Sequence, residues 1–385
     1  MAARGPLSGI TVIDLSRILA GPYCSFLMAE MGARIIKVEP PGKGDDAREY
    51  GPFLKGKSTY FSSINRGKES IALDLKSAGD KRIFEALLGR ADVVLENFRP
   101  GTMEKLGYGW EALHPRYPRL IYASASGFGH SGPFSRHPAY DMVVQGLGGI
   151  MSITGHPGQP PVRIGASIGD LGAGLYTAVA VNAALVHRER TGEATKVDIA
   201  MFDCQLALLE NAIMRYTVTG QIPGPLGARH PSITPFEAFA TADGHIIIAA
   251  GNDGLFQKLC DALGRQDLAA APEYQSNDLR NRNQPALKAE IEKALKRKPT
   301  AAWIELLERA GIPCGPINNV AQALAHPQVE ARNMLVTVED PVSGTLKLAG
   351  NPLKMSAFPD PPTRAPAPAL DADRDKLLKE LGLDG

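Results

Sequence analysis

Residues 10–39 read ITVIDLSRILAGPYCSFLMAEMGARIIKVE, and three segments of different hydrophobic period lie within them. Ile10–Leu15 is a short apolar run of strand length, the pattern of a buried strand. Gly21-Pro22 opens a helix running to about Met31. Proline is tolerated there because the N–H it lacks has no partner in a first helical turn. Arg34–Glu39 (RIIKVE) is a second strand. A β–α–β succession of this kind implies parallel pairing through a right-handed crossover.

The alternation continues outward. Ser70–Leu75, Val93–Asn97 and Leu120–Ser124 read as strands, with helical segments at Gly79–Leu88 and near Tyr140–Met151. A long helix of small residues follows Asp170 to about Glu189 and stops at Thr191-Gly192. A strand at Lys196–Ala200 and a helix at Phe202–Tyr216 complete a layered α/β domain. Residues 220–235, GQIPGPLGARHPSITP, are dense in Pro and Gly and read as a linker. Residues 236–325 form a smaller α/β or α+β domain whose first strand is His245–Ala249. Helices at Gly254–Ala262, Gln284–Lys296 and Ala301–Ala310 follow. Residues 326–385 are a return linker, extended and Pro-rich at 359–370, and a polar helix at Ala372–Leu381.

At 385 residues the chain exceeds what one hydrophobic core usually serves, so two domains are expected. The balance of 42 basic and 41 acidic residues gives no electrostatic case for nucleic acid or an anionic membrane as partner. The cysteines Cys24, Cys204, Cys260 and Cys314 are scattered and share no CxxC spacing, which points away from disulfides and zinc. No HxxxH or HExxH pair supports a metal site. With no apolar signal core and no uncharged apolar run of 18 residues, a cytoplasmic protein is expected.

Asp170 sits between glycines at the mouth of the long helix, where the macrodipole and unpaired N–H groups favour an ionised carboxylate. Such a group is either a nucleophile or a helix cap. Lys76, Asn97-Phe98-Arg99 and Lys105 follow strand ends, the edge that lines the ligand crevice of an open α/β sheet. They suit a phosphate-bearing ligand with a base for Phe98 to stack on, or are solvated charges. Glu39, at the second strand end, sits where a ribose-binding acid would. The turn DLSRILAGP nonetheless lacks GxGxxG. Asp141 after Tyr140 reads as a cap, and Ala249–Gly254 as a turn or an exposed row of N–H groups.

Taken in order, GITVIDLSRILAGP, GARIIKVEPPGKGD, NRGKESIALDLK, ADVVLENFRPGTMEKLGY, ASASGFGHSGP, PAYDMVVQGLGGIMSITG, IGDLGAGLYTA and ADGHIIIAAGND resemble the class III CoA-transferases, the CaiB/BaiF group. The resemblance implies a large Rossmann-like domain, here 1–219 completed by 330–385, and a small domain at 236–325. It implies an interlocked homodimer with the site between the large domain of one chain and the small domain of the other. Asp170, in the family's GD-x-x-x-G setting, would be the nucleophile that carries acyl and then CoA. Gly169, Gly172, Ala173 and Gly174 would leave room for acyl groups. Coenzyme A would meet Leu19, Ala20, Leu73, Lys76, Asn97, Phe98, Arg99, Lys105 and Tyr140. The partners would be an acyl-CoA and a carboxylic acid.

The chain departs from the formyl-CoA branch in several places. Lys105 stands for Arg, which loses bidentate geometry. Pro40 stands for a nucleotide-binding Arg, with Arg48 or Arg17 as candidate replacements. The small-domain glycine run is reduced to Gly251 and Gly254. Arg163, Arg215 and Arg229 are candidate acid-binding cations by type and neighbourhood. The similar α-methylacyl-CoA racemases need a His before the Asp of the second motif, and Tyr140 occupies that place. A tyrosine, with a pKa of about 10, is a poor base at neutral pH. A non-catalytic CoA-binding protein is the third reading.

Overall fold

Six parallel strands frame the larger unit of the computed structural model, which describes residues 5–383. They are β1 (Thr11–Asp14), β2 (Arg34–Glu39), β3 (Glu69–Ala72), β4 (Val93–Glu96), β5 (Ile121–Ser126) and β6 (Lys196–Ala200). Their spatial order is β3-β2-β1-β4-β5-β6, every pair parallel. The order reverses between β1 and β4, so the loops after these two strands flank the crevice where such sheets take ligands.

Both faces of the sheet are covered, which is why its strands are continuous apolar runs rather than alternating ones. Val12, Ile35, Val93, Leu95 and Ile121 join the core with Cys24, Phe26 and Met28 of α1 (Ala20–Glu30). Ile13, Ile36, Ile71 and Val94 join the other core with Phe84 of α2 (Ala78–Leu88). After α3 (Asp141–Leu147) comes α4 (Ile168–Thr191), which is long and apolar enough to cross a membrane by length and composition. Half of its apolar window is buried inside the protein, where Ala178, Val181, Ala184 and Leu185 enter the α1 core.

The helix expected over Phe202–Tyr216 is two, α5 (Met201–Leu208) and α6 (Asn211–Thr219). They break at Glu210, whose φ of +46° no hydrophobic period can announce. The return segment is also more ordered than expected. β10 (Leu335–Asp340) and β11 (Gly344–Ala349) form an antiparallel hairpin, with Val336 and Val338 buried in half-buried alternation. The prolines further along mask that signal. The C-terminal segment reaches back to the edge strand β3. The Asp373 carboxylate accepts from Ser70 N at 2.9 Å and that of Asp371 from Ala72 N at 2.7 Å. Helix α10 (Arg374–Leu381) follows and buries Leu377 in the β3 core.

The smaller unit comprises Gly224–His326 and Ile153–Val162, the latter lying inside the stretch expected to be large domain. Its sheet is antiparallel, in the order β9 (Cys314–Pro316), β8 (His245–Ala249), β7 (Phe236–Ala240). The first strand is therefore β7, one strand earlier than expected. Helices α7 (Asp253–Leu263), α8 (Gln284–Leu295) and α9 (Thr300–Arg309) cover it around Phe239, Ile246, Leu259, Ile291 and Trp303.

Candidate active site

Asp170 lies in the first turn of α4 and is half-buried. Burial, and then the neighbouring charge of Asp141, push its carboxyl up to about 7. The helix terminus was expected to hold it ionised at neutral pH; desolvation and a like charge overcome that pull.

Asp141, in the first turn of α3, organises this corner. Its Oδ1 accepts from Gly169 N at 2.8 Å and its Oδ2 from Gln145 Nε2 at 2.8 Å. Gln145 Oε1 in turn accepts from Ile164 N at 2.9 Å, so the approach to α4 is tied to α3. Arg163 Nη2 lies 3.7 Å from Asp141 Oδ2, and the side chain remains 40% exposed. Tyr60, on the short helix Thr59–Asn65, is the residue that motif reading misses here. Burial, then Asp170, push its phenol up to about 12, so it stays protonated beside the carboxylate.

The glycines around Asp170 serve packing rather than acyl space. A Cβ on Gly169 would lie 3.1 Å from Asp141 Oδ1, and one on Gly172 3.2 Å from Leu208. A Cβ on Gly174 would lie 2.7 Å from the Ala20 carbonyl oxygen, at the start of α1. Gly174→Ala is therefore expected to cost about 1–3 kcal/mol, read as a lower urea midpoint at unchanged slope.

Of the expected CoA residues, Lys76, Arg99, Lys105 and Tyr140 are exposed, and the three cations have no ion pair among the described residues. Lys76 follows β3, Arg99 follows β4 and Lys105 lies on the short helix Thr102–Leu106. Phe98 is partly buried, its N–H donating to Glu96 Oε2 at 2.8 Å. Leu19, Ala20 and Leu73 are buried, so their side chains are not presented to a ligand. Asn97 is a strut: Oδ1 accepts from Arg17 N at 2.9 Å and Nδ2 donates to Arg17 O at 2.8 Å.

Glu39 has no free face for a ribose. It is 2% exposed, takes Arg48 through two bonds of 2.7 Å, and accepts from Ser70 Oγ and Asp45 N. Arg48, consumed there and stacked 3.8 Å over Phe61, does not replace the cation missing at Pro40. Arg17 holds an exposed pair with Asp46, which solvent screens. Arg229 donates to Asn281 within the smaller unit, and among the described residues the buried Arg215 Nε has no hydrogen-bond partner. The Ala249–Gly254 loop behaves as a cap: Asn252 Oδ1 accepts from Leu255 N, and Asp253 pairs with Arg280 at 2.6 Å.

Beneath the crevice lies a buried ionic cluster. Asp14 at the end of β1 pairs with Lys68 at 3.2 Å, both fully buried, and accepts from Ser16 and Ser25. Burial opposes the Asp14 charge, but Lys68, Lys37 and the two hydroxyls outweigh it and hold the acid down at about 2. Burial also pulls the Lys68 ammonium down, to about 8, against the pull of Asp14. Among the described residues no group of three His, Cys, Asp or Glu could hold a metal.

Residues 7–374 match the model of CoA-transferase family III. The chain is 47% identical to the acetyl-CoA:oxalate CoA-transferase of Acetobacter aceti, covering 98% of this chain and 96% of that one. It is 41% identical to the succinyl-CoA:mesaconate CoA-transferase of Haloarcula marismortui, covering 99% and 97%. A CAIB/BAIF family protein from Brucella suis superposes with a TM-score of 0.85 at 38% identity, over 98% of this chain and 100% of that one. The chain belongs to CoA-transferase family III and is an enzyme of that class.

Proposed function

We propose that the enzyme moves CoA from a short dicarboxylyl-CoA, succinyl-CoA first among them, to a free carboxylic acid through covalent intermediates on Asp170. The observation that carries this is the half-buried carboxylate at the head of α4, made more basic than usual yet reachable. A raised pKa strengthens the nucleophile without protonating it fully at neutral pH. The oxalate and mesaconate named for the two relatives support small diacids as substrates.

The Asp170 carboxylate attacks the thioester carbonyl, the C–S bond breaks, and an aspartyl anhydride and CoA thiolate form. The thiolate attacks the aspartyl carbonyl, giving an aspartyl-CoA thioester and the donor acid. The acceptor carboxylate attacks that thioester and displaces the thiolate, leaving a second anhydride. The thiolate then attacks the acceptor's carbonyl, and Asp170 leaves as a carboxylate. No water enters, so the thioester is conserved. Lys76, Arg99 and Lys105 meet the phosphates of CoA, the Leu19–Ala20 backbone and Tyr140 flank the pantetheine and acyl end, and Arg163 takes a substrate carboxylate.

The strand order supports a Rossmann-like domain, with 220–235 and the return segment as long connections. Exposed Val179, Val186, Val218 and Ile222 support burial against a second copy in an interlocked homodimer, checked by light scattering at twice the chain mass. Four free thiols suit a reducing, cytoplasmic setting.

Mass spectrometry tests the central claim. After incubation with succinyl-CoA and quenching, the peptide containing Asp170 is expected to carry CoA or succinyl. An unmodified peptide during active turnover refutes the covalent route.

A further inference from the structure

The corner between β1 and α1 contains a β-branched residue in a conformation that such residues avoid. Ile18 has a φ of +67°, in the left-handed region where its side chain crowds the backbone. A strained residue persists only where its surroundings over-determine it, and such residues gather at ligand clamps. Here the surroundings are explicit. Ser16 N donates to Asp14 Oδ1 at 2.9 Å, and Lys37 Nζ donates to Ser16 O at 2.6 Å. Arg17 is bridged on both sides by Asn97, from the loop after β4. The Ile18 N–H itself donates to Asp45 Oδ1 at 2.9 Å.

Asp45 is the keystone of this set. It is 2% exposed, its other oxygen pairs with fully buried Lys37 at 2.8 Å, and its own N–H is held by Glu39. No side chain of the pair reaches the crevice surface, so neither touches a ligand. Their work is transmitted through the backbone of residues 16–18. The next residues, Leu19 and Ala20, begin α1, whose Ala20 carbonyl abuts Gly174 one turn beyond Asp170. The corner stands beside β4, where the strand order reverses.

We propose that Asp45, backed by Lys37, is a positioning residue that holds the strained Ile18 corner so that the Leu19–Ala20 backbone meets the acyl-CoA beside Asp170. The inference rests on the CoA-transfer reading above. It predicts that the need for Asp45 disappears when residue 18 adopts a positive φ without strain, as glycine does.

The test compares wild type, Asp45→Ala, Ile18→Gly and the double variant in full-length enzyme. Asp45→Ala is expected to raise KM for succinyl-CoA about tenfold, with kcat and KM for the acceptor acid within about threefold. In the Ile18→Gly background the same change is expected to cost less than about threefold. Effects that simply multiply overturn the proposal, as does a lowered melting temperature with unchanged KM. Should Asp45→Ala be insoluble, Asp45→Asn carries the comparison, since it loosens the hold of Lys37. Its KM shift must also shrink in the Ile18→Gly background, and equal shifts overturn the proposal. Calorimetry with free CoA separates the two levels. A wild-type chain that binds no CoA refutes the transfer reading itself; wild-type binding that Asp45→Ala leaves unaltered refutes only the positioning role.

Discussion

Replacing Asp170 with asparagine is expected to lower kcat by about 10⁴-fold or more, because the amide cannot form the anhydride. CoA binding, measured by calorimetry, is expected to stay within a few-fold of the parent, since the expected phosphate contacts lie elsewhere. Retained exchange between succinyl-CoA and a free acid would sink the assignment. The pH profile carries the same point. The nucleophile must be ionised, so turnover rises with pH through about 7, the value to which burial and Asp141 push the group. Asp141→Asn removes the like charge and is expected to move that rising limb to lower pH. Stability runs the opposite way. The folded value of about 7 exceeds the ordinary 3.8, so this carboxyl favours the folded state most below pH 4, and that contribution is lost as pH rises through 7. An inactive Asp170→Asn enzyme that melts above the parent at pH 8 is the expected signature.

The second large effect is on stability. Asp14→Ala strips the partner from fully buried Lys68 and is expected to cost about 3–5 kcal/mol in urea unfolding. The charge, not the cavity, is the cause, so adding Lys68→Met to Asp14→Ala is expected to recover most of the loss. A loss below about 1 kcal/mol would mean that water reaches the ammonium. In acid the intact protein shows the same pair. Asp14 titrates near 2 when folded and near 3.8 otherwise, so its contribution is complete above pH 4 and lost as pH falls toward 2.

The frame of the larger unit was legible because buried parallel strands are apolar runs punctuated by helical periods. RIIKVE at 34–39 and KVDIA at 196–200 coincide with β2 and β6. The break at Glu210 and the β10–β11 hairpin were not, since one depends on a single dihedral and the other on alternation beside prolines. Asp170 and the exposed cations stood out by type and position. Their surroundings did not. That Glu39 is sealed by Arg48, that Asn97 braces a neighbouring loop, and that Gly174 admits α1 are facts of side-chain geometry. Tyr60 carries no motif and reaches Asp170 only through the fold.

The carboxylates of Asp371 and Asp373 occupy the outward N–H groups of β3, yet they are made some three hundred residues after it. While the ribosome is still at work, that edge has no cover, and an open edge recruits other strands. Premature stops before Asp371 should therefore yield sticky, insoluble chains rather than weakened enzyme.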